Sequence, residues 1–319
     1  MNSIKKMMLS GALGCLISGM AYADGSSPQP VKPYWQDIQV VAVNKEKPRS
    51  SFMSYADRET ALTSRFEKSP YYSLLNGTWK FFFVDSYKDL PQNITDPSVN
   101  TSSWDDITVP GNWEVQGHGV AIYTNHGYEF KPRNPQPPLL PEANPVGVYR
   151  RDIEIPASWD NRDIYLHIGG AKSGLYVYLN GKEVGYSEDS KNPAEFLINK
   201  YLQPGKNVLT LKIFRWSTGS YLECQDFWRM SGIERDVFLW SQPKASIQDF
   251  RVVSTLDDTY TNGIFKLAVD LKNHTQETKN LNVGYELLDA KGNLVASEAN
   301  DIWVSPASPQ TASFEYDLK

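Results

Sequence analysis

Five stretches of this chain set Trp or Tyr beside amides, hydroxyls and carboxylates: Val109-Pro110-Gly111-Asn112-Trp113, Ile122-Tyr123-Thr124-Asn125, Asn144-Pro145-Val146-Gly147-Val148-Tyr149, Gly185-Tyr186-Ser187-Glu188-Asp189-Ser190, and the long run from Arg215 to Ile233. An aromatic ring offers a flat face for stacking, and Asn or Asp fixes hydroxyls in direction, so the mixture suits a polyhydroxylated ligand. The plainer reading is that these are turns and core aromatics of a β-sandwich, and residue types alone favour it. Other chemistries are absent from the sequence: it has no Gly-rich phosphate loop, no G-x-S-x-G elbow and no H-E-x-x-H, and its four His (118, 126, 167 and 274) lack metal-ligand spacing. Glu223 and Asp226 are a tempting carboxylate pair but a poor acid/base couple.

The elements that must position these residues read as short strands. Thr78 to Val84, Val148 to Ile155, Ile164 to Ile168, Leu175 to Leu179, Asn207 to Arg215 and Asp236 to Trp240 are β segments between turn residues. Val148 to Ile155 alternates as a half-buried strand should. Asn180-Gly181 is the strongest hairpin signal in the chain. Between His126 and Asn144 the pattern breaks, because Pro132, Pro135, Pro137, Pro138 and Pro141 cannot donate to a ladder, and a long surface loop is expected. From Asp24 to about Arg58 the chain is polar and Pro-containing, with Trp35, and reads as an extended lead-in that wraps a neighbour. A second β unit begins near Ala245, with strands at Ile247 to Leu256, Ile264 to Leu271, Leu281 to Leu288 and Ala312 to Leu318, and a hairpin turn at Asp289 to Asn293. An immunoglobulin-like sandwich needs about seven strands in roughly 100 residues. The residues from 243 to 319 are too few, so this second sandwich is expected to be incomplete.

Net charge −5 leaves no large positive field, which argues against nucleic acid as a partner. The 13% aromatic content exceeds what a core alone usually needs, and neutral ligands fit better. Residues 1–23 read as a signal peptide: Lys5 and Lys6, a short apolar stretch from Met7 to Met20, and Ala21-Tyr22-Ala23 before the cleavage point. The expected location is therefore exported, periplasmic or cell-envelope. A lipoprotein anchor at Cys15 competes with this, but Ala12-Leu13-Gly14 is an imperfect lead-in to such a cysteine. Cleavage would leave Cys224 as the only cysteine, so no intramolecular disulfide is expected. No segment approaches the roughly 20 apolar residues of a membrane-spanning helix.

The five segments, in this order and together with Leu75-Asn76-Gly77-Thr78-Trp79-Lys80-Phe81, resemble the N-terminal sugar-binding jelly roll of the large β-galactosidases of glycoside hydrolase family 2. The likeness is close from Ser69 to Gln242 and loose beyond. It implies an all-β fold: a lead-in over residues 24–60, a galactose-binding-like jelly-roll sandwich over 61–242 and a truncated immunoglobulin-like sandwich over 243–319. It further implies that Asn125 reaches into a galactose pocket, and that Asp226 contacts the sugar and holds a monovalent cation, usually sodium. An ionised carboxylate is acceptor-only and can hold both. The structural alternative for Asp226 is an ion pair with Arg229, its i+3 neighbour if the turn is helical.

Two departures from the family pattern lie at the pocket rim: Cys224 stands where many relatives carry Asp, and His126-Gly127-Tyr128-Glu129 replaces Val-x-Tyr-Pro. Family members hydrolyse terminal β-galactosides with retention, through two glutamates about 5 Å apart in a (β/α)₈ barrel. The complete enzymes use sodium and magnesium and commonly form homo-oligomers. Neither glutamate motif occurs here, so this chain is expected to supply one pocket wall, to carry only a partial sodium site and to be inactive alone. The alternatives are a stand-alone carbohydrate-binding module, or a fragment of a sibling β-glucuronidase or β-mannosidase.

Overall fold

The computed structural model describes residues 32–130 and 134–319. The signal peptide, the cleavage point after Ala23 and Cys15 lie outside the described residues. The fold is all-β and antiparallel, with only short helical turns. A seven-stranded sheet runs, in spatial order, through Ala42–Val43, Lys182–Ser187, Gly174–Leu179, Lys206–Phe214, Val146–Glu154, Gly77–Val84 and Asp105–Val109. A four-stranded sheet of Ala194–Leu197, Arg162–Ile168, Val237–Pro243 and Tyr72–Leu74 packs across it. Between them lies the main core, where Phe81, Tyr149, Val177 and Leu211 of the first sheet meet Leu166, Phe196 and Leu239 of the second. The Asn180-Gly181 turn forms as expected: both residues have positive φ, 54° and 77°, matching a two-residue turn to the strand twist.

The lead-in accounts for one difference from the sequence pattern. Trp35, 2% exposed, packs with Val146, Val148, Tyr176 and Phe214 on the outer face of the seven-stranded sheet. Val146–Glu154 is consequently buried on both faces at Val146 and Val148, and further along the 94–99 segment encloses Arg150, which donates to the carbonyls of Ile94, Asp96 and Val99. Alternation predicted a half-buried strand because it cannot see a remote segment laid over the polar face. Burying the Trp35 ring alone stabilises by about 4–6 kcal/mol, taking roughly 150–250 Å² at ~25 cal/mol per Å². The lead-in then crosses to the four-stranded sheet, where Met53 joins Tyr165, Phe238 and Trp240.

After Ala245 the strands form separate sheets with their own core of Phe265, Leu267, Val269, Leu271, Val283 and Phe314. Ala245–Leu256, Gly263–Asn273 and Gln310–Leu318 make one sheet, and Lys279–Leu288 pairs with Leu294–Val304 in the other. Leu294–Val304 has no counterpart among the expected strands. It is mostly exposed and reads Ser297-Glu298-Ala299-Asn300-Asp301 at its centre, residues of weak β preference. Cross-strand pairing to Lys279–Leu288 holds it in place.

Candidate functional site

Asn125 and Asp226 are 101 positions apart in sequence, yet the fold sets them across from each other. Ile122–Thr124 and Phe227–Arg229 form a two-stranded ribbon in the register Phe227↔Thr124, Trp228↔Tyr123 and Arg229↔Ile122. One step further along the same register, Asp226 faces Asn125. Alternation then puts Tyr123, Asn125, Asp226 and Trp228 on one side of the ribbon, and all four are exposed. Tyr123 donates its hydroxyl to Asp226 Oδ1 at 2.8 Å and packs against Trp228 with ring centroids 5.6 Å apart. That hydrogen bond and the adjacent carboxylate charge raise the Tyr123 phenol above its ordinary range. Asn125 Oδ1 lies 2.7 Å from His126 Nδ1. With the ring proton on Nδ1, the Asn125 amide keeps both N–H donors for a ligand.

The opposite side of the ribbon is ionic and buried. Glu129, with a side chain 6% exposed, lies 3.8 Å from Arg215 Nε and 3.6 Å from Arg229 Nε and accepts a hydrogen bond from the Trp216 indole. Arg215 also reaches Glu114 at 3.7 Å, and Glu114 in turn accepts from Ser231 N at 2.8 Å. Burial pushes the Glu114 carboxyl above its ordinary range. Arg229 packs on the Phe227 ring at 4.6 Å, and the Lys172 and Lys191 ammoniums approach the same ring at 5.3 and 5.2 Å. Burial lowers the Lys172 amine. This network ties the 127–130 loop to the strand behind Asp226, and so fixes the edge that bears the exposed residues.

The alternative ion pair of Asp226 with Arg229 does not form. The segment is extended rather than helical, so Arg229 points inward to Glu129 while Asp226 points out. Glu223 is not a partner carboxylate either, since it accepts from Ser190 N at 2.8 Å and from the Ser190 hydroxyl. The plainer reading holds for the other motifs. Trp113 is core, Asn144 brackets Trp216 through N–H and C=O bonds of 3.0 and 2.8 Å, and Glu188 caps Thr218 and Gly219. Sequence reasoning did not single out Tyr123 and Trp228 as site residues or Glu114, Glu129, Arg215 and Arg229 as its support. Two-residue alternation around Asn125 and Asp226 would have found the first pair; nothing local marks the network.

Among the described residues no three His, Cys, Asp or Glu gather as a metal shell. Asp226 offers one exposed carboxylate whose Oδ2 has no partner among the described residues, which fits a fraction of a monovalent-cation site and nothing more. Among the described residues no helix is long and apolar enough to cross a membrane.

The family described as "Glycosyl hydrolases family 2, sugar binding domain" matches residues 72–243. Curated relatives include a β-galactosidase of Priestia megaterium, 37% identical over 90% of this chain and 28% of its own length. Another, from Halalkalibacterium halodurans, is 38% identical over 82% of this chain and 26% of its own length. The chain thus spans about 28% of the first relative's length. Among solved structures, a Bacteroides uniformis β-glucuronidase superposes with a TM-score of 0.60 at 20% identity, covering 78% of this chain and 27% of its own. A Bifidobacterium dentium β-glucuronidase does so with 0.58 at 19% identity, covering 78% and 42%, and these likenesses speak to fold alone. The jelly roll with its exposed ribbon is the family's sugar-binding domain, and the chain belongs to glycoside hydrolase family 2, homologous to β-galactosidases.

Proposed function

We propose that this chain supplies one wall of the substrate pocket of a β-galactosidase, with the glycosidic bond cleaved by carboxylates that the described residues do not include. The observation that carries this is the ribbon face of Tyr123, Asn125, Asp226 and Trp228. It presents amide donors, a carboxylate acceptor and aromatic rings, the set a neutral pyranose needs. A glucuronide would call for a cation on that face, yet Arg215 and Arg229 are turned into the core, and none of the four facing residues is basic. That observation favours galactose over the sibling glucuronide reading.

Asn125 would donate to a sugar hydroxyl, and Asp226 would accept from another while holding part of a sodium ion. A bound sodium ion would supply charge and fix a hydroxyl's direction. No residue is assigned to magnesium. Tyr123 positions Asp226, and Glu129 and Arg229 position the strand. The partner is accordingly a β-galactoside oligosaccharide or glycan, with export to the periplasm or cell envelope and homo-oligomerisation of the larger enzyme as parts of the same reading.

The test is calorimetric or NMR titration of the chain with methyl β-galactoside and methyl β-glucuronide, in sodium and in potassium buffer. Millimolar binding of the galactoside that is lost in Asn125→Ala and Asp226→Ala supports the reading. Equal or tighter binding of the glucuronide refutes it. A chromogenic β-galactoside should not be turned over by this chain alone, and turnover that vanished in Glu223→Gln would overturn the account.

A further inference from the structure

The outer face of the four-stranded sheet carries a cavity that shares no residue with the ribbon. It has a volume of about 270 Å³ and lies where the lead-in crosses the sheet. Its floor is a fixed polar assembly. Glu195, 8% exposed, accepts from Arg49 Nε and Nη2 at 2.9 and 2.8 Å and from the Trp240 indole at 3.0 Å, and it lies 2.8 Å from His167 Nδ1. The Arg49 guanidinium is held between the rings of Phe52 and Trp240, 4.4 Å from each centroid. His167 stacks on Phe238 at 4.1 Å and 15°. With Glu195 accepting from Nδ1–H the ring is oriented, and in that neutral tautomer Nε2, which has no partner among the described residues, is an acceptor.

The walls determine what could enter. Phe52 and Phe66, both half-buried, give apolar ring surface, while Ser51 and Asn192 stand at the edge, both exposed. Asn192 spends its amide N–H on Asp189 at 2.9 Å and keeps its carbonyl oxygen. The charges of the lining nearly balance, with Lys47 and Arg49 against Glu46, Asp189 and Glu195. Arg49 is committed to Glu195, so no spare guanidinium awaits a phosphate or carboxylate. An apolar wall with free acceptors and little net charge matches a neutral ring bearing hydroxyl donors. The size suits one such ring, being at the small end of ligand pockets, roughly 300 Å³ and up.

We infer that this cavity is a second saccharide site, in which one neutral pyranose ring stacks on the Phe52 and Phe66 side and donates hydroxyls to His167 Nε2 and Asn192 Oδ1. The inference stands apart from the ribbon, so the chain could hold a glycan at two points.

The experiment is a ¹H–¹³C titration of the four histidine Cε1–H signals of the 319-residue chain. Methyl β-galactoside and methyl β-glucoside are the probes, and inorganic phosphate is the control. His126 reports the ribbon and His167 the cavity, so the two sites fail or succeed separately. Saturable movement of the His167 signal with a glycoside, at a Kd of about 1–10 mM, is expected. Ser51→Trp, which fills the mouth, and Asn192→Leu, which removes an acceptor, should each weaken it by about tenfold. The His126 response should be unchanged in both. A still His167 signal, an unchanged response in both variants, or an equal response to phosphate would overturn the inference.

Discussion

Glu129→Gln removes one negative charge from the buried network behind the ribbon, and its cost can be worked from the geometry. The two guanidiniums nearest Glu129, 3.8 and 3.6 Å away, belong to side chains 4% and 2% exposed. After substitution Arg215 keeps Glu114 at 3.7 Å, but Arg229 keeps only the Glu223 carbonyl at 3.1 Å and the Phe227 ring. Removing one partner of a buried pair costs about 3–5 kcal/mol, because the remaining charge stays desolvated. For a unit of this size each kcal/mol is worth roughly 2–4 °C in Tm. The expected drop is therefore on the order of 10 °C, read by near-ultraviolet circular dichroism during heating. A double variant tests the cause: Glu129→Leu with Arg229→Met removes both charges and should cost less than either change alone. A drop below about 2 °C for Glu129→Gln, or strict additivity in the double variant, would refute the account that paired charge holds the ribbon.

Three further outcomes follow from the same contacts. Arg229 Nη2 is buried without a partner and lines a cavity of about 10 Å³ with Cys224, so Cys224→Asp should add a charge-assisted hydrogen bond and stabilise by about 1–3 kcal/mol in chemical denaturation. In the Glu195 carboxyl, burial acts upward, but the His167 hydrogen bond and Arg49 outweigh it and hold the group below the usual range. Its stabilisation is complete above the ordinary carboxyl value of about 4.3 and is lost as pH falls through the lower folded value, so Glu195→Gln should flatten the fall in stability on acidification below that ordinary value. Gly185→Ala would set a Cβ 2.3 Å from the Val43 carbonyl oxygen, and it should lift the lead-in strand and open residues 38–47 to limited proteolysis while the other six strands of that sheet persist.

The sequence by itself determined the all-β character and the turns at Asn180-Gly181 and Asp289 to Asn293, and it nominated Asn125 and Asp226 only through the family resemblance. The fold features rest on local chemistry: a two-residue turn that needs positive φ, and period-two alternation. The second turn closes as read, with Asp289 Oδ1 accepting from Lys291 N and Asn293 N at 2.8 Å each. Only the tertiary structure decided which motif residues are exposed together on one face. The exposed face is a product of pairing Ile122–Thr124 with Phe227–Arg229, and that register is long-range. The same pairing turned Arg229 away from Asp226 and toward Glu129, a partner that no spacing rule would nominate. Burial of Val146–Glu154 on both faces at Val146 and Val148 depended likewise on Trp35, more than a hundred positions away, because a strand's own alternation records its side chains and not what another segment lays over them.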